Sequence, residues 1–206
     1  MKSPLEDTIW GSSYGSVSAV RAAFDRFGPE YHHAILASGA PAGAAHALRP
    51  HLHPNAQGID FGCGSGVLGI ALREAGLKQP LDGVDLSPGM LDLARETRGY
   101  RHLLRGNLLT PEECPAVAKP YDFAITMGLM GDYVPFYIAL PHIVSNLRRG
   151  AFLGYAVERR STSSYALEKL ALELGLIPLS ETILPIPEGK LAGQVYHFFV
   201  AQLGSS

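Results

Sequence analysis

Asp60-Phe61-Gly62-Cys63-Gly64-Ser65-Gly66 is the stretch that decides the fold, because three alternate glycines close a short apolar run and open a helical one. Glycine is demanded where a chain turns sharply or where a ligand must touch the backbone, since any Cβ would collide. A turn that feeds a helix N-terminus also leaves N–H groups unpaired, which suits a carboxylate or phosphate. Upstream lies a candidate strand, 58–61. Downstream, 67–77 places Val67, Ile70, Ala71 and Glu74 at helical spacing, with Gly76 near its end as a stop signal.

Working outward from the turn, further strands are predicted over 81–86, 103–108, 122–127, 151–157, 182–186 and 195–201. Ser87-Pro88 reads as an N-cap followed by proline at the first helical position. The helix so opened carries Met90, Leu91 and Ala94 inward, with Asp92, Arg95 and Glu96 outward. The helical pattern of 134–148 contains Pro141, which predicts a kink or two helices. Another helix, 164–174, should stop at Gly175.

Strand and helix alternate from Gly58 to Gly150, which implies right-handed crossovers and a doubly wound, mostly parallel α/β sheet. Only 187–194 separates the last two strands, too little for a helix. They should form a hairpin, making one terminal strand antiparallel. Before the sheet, 1–15 is rich in Gly and Ser, and 17–48 is helical with a break around 39–43. Val20, Ala23, Phe24 and Phe27 share one helical face. We read 1–52 as an N-terminal helical lid of two or three helices and 53–206 as a Rossmann-like core, together one domain over 1–206.

Bulk composition narrows the function classes. Hydrophobic residues make up 47% of the 206 and charged residues 17%, the opposite of a disordered chain. Seventeen basic and nineteen acidic residues are spread without a basic stripe, so no nucleic-acid partner is expected. Cys63 and Cys114 are the two cysteines, too few for a disulfide scaffold or a structural zinc site. The first seven residues lack the apolar core of a signal peptide, and no run is long enough to span a membrane. A cytoplasmic setting without membrane contact is therefore expected.

Asp85 ends the second strand, 19 residues after Gly66. A carboxylate at that place can accept both hydroxyl protons of a ribose, which suits any adenosine-containing cofactor. Gly64-Ser65-Gly66-Val67-Leu68-Gly69 also satisfies G-x-G-x-x-G, the dinucleotide pattern, so an NAD(P)-binding module stays open on the turn alone. Asp60 before the turn, where it can hold the turn or nearby polar groups, argues against that reading. So does the lack of an obvious second domain for a hydride donor's substrate.

Residues 58–72, Gly-Ile-Asp-Phe-Gly-Cys-Gly-Ser-Gly-Val-Leu-Gly-Ile-Ala-Leu, resemble the first motif of class I S-adenosylmethionine-dependent methyltransferases. Gly83-Val84-Asp85-Leu86-Ser87-Pro88-Gly89-Met90-Leu91-Asp92-Leu93-Ala94-Arg95 resembles their second. Tyr121-Asp122-Phe123-Ala124-Ile125-Thr126 is similar to their fourth strand, and Asn146-Leu147-Arg148-Arg149-Gly150 to the turn before the fifth.

The resemblance implies a seven-stranded sheet with the last strand antiparallel, S-adenosylmethionine as cofactor and S-adenosylhomocysteine as product. It implies that Gly62, Gly64 and Gly66, with Asp60 and Cys63, form the turn under the amino-acid end of the cofactor, and that Asp85 binds the ribose. Leu86 or Met90 would pack on the adenine. Leu108 and Met127 complete the implied set. Where the third motif usually ends in an acid, this chain has Asn107, whose carbonyl oxygen can accept the same adenine hydrogen bond. Phe24-Asp25-Arg26-Phe27-Gly28-Pro29-Glu30-Tyr31 resembles an N-terminal helix motif that brings a tyrosine to the cofactor, here Tyr31.

A sulfonium methyl is already a strong electrophile, so its transfer needs an in-line approach and excluded water. A base is needed only if the nucleophile arrives protonated. The loop Met127-Gly128-Leu129-Met130-Gly131-Asp132-Tyr133 lacks the Asn/Asp-Pro-Pro-Tyr signature of amino-group methylation on nucleic acid or glutamine. Substrate-facing candidates are Asp132, Tyr133 and Glu158, with Tyr31 and His33 from the lid. Among eight histidines, His51 and His53 precede the first strand at its wrong end, and His142 and His197 read as structural. No metal-ligand spacing is evident. The apolar, Met-rich loop and the aromatics Trp10, Tyr14, Tyr31 and Tyr133 favour a small organic methyl acceptor. The alternatives are a protein side chain as acceptor, or a cofactor-binding chain that transfers no methyl and acts as a cyclase-like catalyst or regulatory subunit.

Overall fold

The computed structural model describes residues 16–110, 114, 120–130, 134–158, 163–185 and 195–205, apart from the side chains of 158 and 163–165. Ser16 opens α1 (Val17–Ala37) by accepting the Ala19 N–H on its side chain at 3.2 Å. The break comes at Ser38 and Gly39, where Gly39 takes φ +70°, and Pro41 then sits in the first turn of α2 (Ala40–Leu48). A single 3₁₀ turn, Arg49–His51, leads to the sheet.

The alternating region follows as β1 (Gly58–Phe61), α3 (Val67–Glu74), β2 (Leu81–Asp85), α4 (Pro88–Glu96), β3 (Tyr100–Arg105) and β4 (Tyr121–Thr126). Then come α5 (Phe136–Ser145), β5 (Leu147–Glu158), α6 (Ser163–Glu173), β6 (Leu176–Pro185) and β7 (Val195–Leu203). The strands lie in the order β3-β2-β1-β4-β5-β7-β6, and the pairs from β3 through β5 are all parallel. Strand β7 is antiparallel to both of its neighbours. The expected antiparallel last strand is there, slotted between β5 and β6 rather than at the edge. This is the class I methyltransferase fold.

Two apolar layers flank the sheet, as the two-residue period of a strand requires. Phe123 and Ile125 of β4 join Leu48, Leu72 and Phe198 under α2 and α3. Ala124, between them, faces Ile59, Phe61, Ile143 and Leu153 under α5. Each such fully buried Leu, Ile or Phe contributes about 1.5–3 kcal/mol.

Three strand expectations need correction. The strand expected at 103–108 is Tyr100–Arg105, which begins with the polar residues Tyr100, Arg101 and His102. They are tolerated because Tyr100 pairs with Asp60 while Arg101 and His102 pair with Asp82. Strand β5 starts four residues before the expected 151, carried through a register shift and a left-handed Gly150. Strand β6 starts six residues before the expected 182 and includes Pro178, which an edge strand accepts because it need not donate outward. The helices are shorter than expected, 67–74 for 67–77 and 136–145 for 134–148, with Pro141 inside the latter.

Candidate functional site

The order of strands reverses beside β1, between β1 and β4, and open α/β sheets bind ligands in the crevice at that point. Here the glycine turn supplies the floor. Gly62, Gly64 and Gly66 take φ of +74°, +51° and +86°, all in the left-handed region that side chains avoid. Gly62 and Cys63 donate their N–H groups to Val84 O at 2.8 and 3.0 Å, which fastens the turn to β2.

Asp85 completes that connection. Its Oδ2 accepts the Gly64 N–H at 2.8 Å and its Oδ1 accepts the Ser87 N–H at 2.9 Å. Burial pushes its carboxyl up from the ordinary value, while these backbone donors pull it down. The Leu86 N–H adds a third backbone donor, and of the carboxylate's roughly four lone-pair sites that leaves room for a ligand.

A cavity of about 760 Å³, counting space open to solvent, lies over this floor. It gathers nine of the expected residues: Gly62, Gly64, Asp85, Leu86, Met90 and Asn107, with Leu108, Met127 and Tyr31. Asn107 caps its own turn, its Oδ1 accepting the Leu109 N–H at 3.1 Å. Tyr31 meets Phe24 edge-on with ring centroids 5.5 Å apart, so α1 roofs the cavity with aromatic surface. A smaller adjoining cavity shares Tyr31, Gly62, Gly64 and Met127 and adds Cys63, Ser65 and Tyr196.

Three expected residues stand elsewhere. Gly66 does not pass under the cavity: it caps α3, and a Cβ there would meet Ala94 Cα at 2.9 Å, so its glycine serves helix packing. His33 is exposed and lines neither cavity; two residues beyond Tyr31 on a helix, it points to nearly the opposite side. Asp60 lies behind the turn, wholly buried, with Oδ2 accepting the Tyr100 hydroxyl at 2.7 Å. Asp132 and Tyr133 fall outside the described residues, as do Trp10 and Tyr14. Glu158 pairs with Tyr196 at the cavity end of the sheet by backbone register, and its side chain is outside the described ones.

Val20, Arg21, Phe24, Leu109 and Tyr196 also line the two cavities and were not anticipated as site residues. Val20 and Phe24 carried a signal, since they share a helical stripe that continues to Tyr31. Tyr196 carried none: it reaches the site because β7 runs antiparallel and so begins where the other strands end. Burial, with Asp85 and Asp60 nearby, pushes the Cys63 thiol well up, which leaves no thiolate to act as nucleophile. Among the described residues no group of three His, Cys, Asp or Glu is placed to hold a metal, and no helix is long and apolar enough to cross a membrane.

Residues 59–150 match the family model described as a methyltransferase domain. The malonyl-[acyl-carrier protein] O-methyltransferase of Serratia marcescens is 41% identical over 56 residues, 27% of this chain and 21% of that protein. The ribosomal protein L11 methyltransferase of Pseudomonas fluorescens is 31% identical over 113 residues, 54% of this chain and 38% of that protein. The chain therefore spans well under half the length of these relatives. Magnesium protoporphyrin IX methyltransferase from Synechocystis, solved with bound SAM, superposes with a TM-score of 0.63 at 15% identity, over 96% of this chain and 89% of that one. A methyltransferase-like chain from Haloferax volcanii, solved with the Trm112 activator, gives 0.67 at 17% identity, over 90% and 97%. At such identities the likeness establishes the fold.

Proposed function

We propose that this chain, which has the class I methyltransferase fold and matches a methyltransferase domain over residues 59–150, transfers a methyl group from S-adenosylmethionine to O, N or C of a small organic molecule. One observation carries the reading. A single cavity at the carboxyl ends of the strands brings together a glycine floor, a ribose-competent carboxylate, an amide for the adenine and an aromatic roof.

The residues present fit the cofactor. Gly62 and Gly64 leave the backbone bare where its amino-acid end would lie, and Asp85 offers its spare lone pairs to ribose hydroxyls. Asn107 Oδ1, beside the Leu109 N–H it accepts, keeps a second lone pair that would take the adenine amino group, and Leu86, Met90 and Leu108 would give the ring apolar surface. When bound, S-adenosylmethionine supplies a sulfonium-activated methyl group. The chain's own part is to orient and to exclude water. Tyr31 and Phe24 close the lid side, and Met127, Leu129 and Val134 close the side of the loop after β4. That lining is mostly apolar, which supports a partly apolar acceptor.

The experiment is a screen of metabolite fractions that follows S-adenosylhomocysteine release. Release with a low-molecular-weight fraction is expected. Cofactor binding without release from any fraction would replace this reading with the non-transferring one. A protein acceptor is the second reading, favoured by the ribosomal protein L11 methyltransferases among the relatives. Release confined to a macromolecular fraction would select it.

A further inference from the structure

Tyr100, the first residue of β3, lies in a slot cut by glycines. A Cβ on Gly69 would stand 2.6 Å from its ring, and one on Gly83 would stand 2.8 Å from it. Gly99 lets the chain back directly onto Gly69, with a Cβ position 2.9 Å from that backbone. Two glycines outside the cofactor turn thus make room for a single phenol, and a third lets the chain before it approach one of them.

Through the slot the hydroxyl does two things. It donates to Asp60 Oδ2 at 2.7 Å and accepts the Gly69 N–H at 3.2 Å. Tyr100 therefore ties β3 to the first turn of α3 and to the acid that precedes the glycine turn. Asp60 is 0% exposed, and its Oδ1 has no hydrogen-bond partner among the described residues. An acid so placed is costly unless a charge or donor answers it.

The groups that act on Asp60 come from three elements: the Tyr100 hydroxyl from β3, Cys63 from the turn and Asp85 from β2. Burial, partly offset by the Tyr100 hydrogen bond and reinforced by Asp85, pushes the Asp60 carboxyl up to about 7. Near neutrality, then, one hydroxyl governs how much of this acid is charged.

We propose that Tyr100 is a positioning residue for the cofactor site, acting through Asp60. Its hydroxyl fixes the carboxylate behind the glycine turn and favours the ionised form. The turn then presents negative potential to the cationic end of the methyl donor, in a buried setting where charge acts strongly. This rests on the function proposed above.

The test is calorimetric binding of S-adenosylmethionine and S-adenosylhomocysteine from pH 6 to 9, in the wild type, Tyr100→Phe and Asp60→Asn. Comparison between variants cancels the ligands' own titration. Wild-type affinity should rise as the pH passes through about 7. In Tyr100→Phe that rise should move to higher pH, leaving binding roughly three- to tenfold weaker at pH 7 and near wild type at pH 9, the scale of up to one pKa unit. Asp60→Asn keeps an acceptor for the Tyr100 hydroxyl, removes the charge and should lack the rise. It serves alone if Tyr100→Phe does not fold. An unshifted profile in Tyr100→Phe, a loss equal at every pH, or a wild-type profile in Asp60→Asn would overturn the proposal. Failure of the wild type to bind either ligand at any pH would overturn the methyltransferase reading itself.

Discussion

Asp85 Oδ2 accepts the backbone N–H of Gly64 at 2.8 Å, so the acid that ends β2 and the middle glycine of the turn form one unit. The contact joins residues 21 apart and crosses from one strand end to the next. Asp85 therefore has two tasks, holding the floor and offering lone pairs above it.

Asp85→Ala should weaken S-adenosylhomocysteine binding by about 1–3 kcal/mol, the range for losing hydrogen bonds to a charged group. Because Gly64 also loses its acceptor, amide exchange should quicken at Gly64. Calorimetry and hydrogen exchange check the two effects. Unchanged affinity would mean that the ribose lies elsewhere.

Asp25 tethers the lid. Its Oδ1 accepts the Ser87 hydroxyl at 2.6 Å and the Gly89 N–H at 3.0 Å, at the positive N-terminal end of α4. Asp25→Ala should cost about 1 kcal/mol, as loss of a helix cap does. Faster hydrogen exchange over α1 and weaker cofactor binding should follow together. Unaltered protection of α1 would show that the lid is held without this contact.

Asp82 anchors the opposite end of the sheet and serves as a control for the site. Buried to 1%, it takes Arg101 at 2.7 and 3.1 Å, His102 at 2.9 Å and the Tyr121 hydroxyl at 2.6 Å. Burial raises its carboxyl, but Arg101, Tyr121 and His102 together outweigh that and leave it below the ordinary value. Its contribution is thus present above the ordinary carboxylate range and lost as pH falls through its lowered pKa. Asp82→Ala should cost about 3–5 kcal/mol in urea unfolding, because Arg101 and Tyr121 lose their acceptor. Cofactor affinity of the folded variant should not change.

Asp60 has the reverse sign. Its carboxyl rises from 3.8 to about 7 on folding, so its contribution is full below 3.8 and lost as pH climbs through 7. Asp60→Asn should flatten the fall in stability between pH 4 and 7. By pH 8 it should make the ligand-free protein more stable by up to about 4 kcal/mol, the linkage value of that shift. Denaturant unfolding at pH 5 and pH 8 measures this. A variant less stable than wild type at pH 8 would contradict it.

Local requirements were the legible ones. The glycine turn, the Ser87-Pro88 helix start and the stops at Gly76 and Gly175 each depend on a few adjacent residues, and the structure has them where the sequence put them. Contacts between distant strands were not legible. Nothing near Tyr100 in sequence points to Asp60, and Gly69, Gly83 and Gly99 read as ordinary glycines until the ring that needs them is placed. The polar opening of β3 lies outside the expected strand 103–108 for the same reason, since Asp82, its partner, lies about 20 residues away. Tyr31 and His33 show the limit within a helix. Both looked usable, but helical geometry gives the cavity only one of them.

The cavity over Gly62, Gly64 and Asp85 should hold S-adenosylmethionine rather than a dinucleotide. Titration calorimetry of the whole chain with S-adenosylmethionine, S-adenosylhomocysteine and NAD distinguishes the two. The first two should bind at about micromolar Kd, roughly −8 kcal/mol, and NAD should give no heat. Micromolar binding of NAD with no response to either S-adenosyl ligand would contradict it.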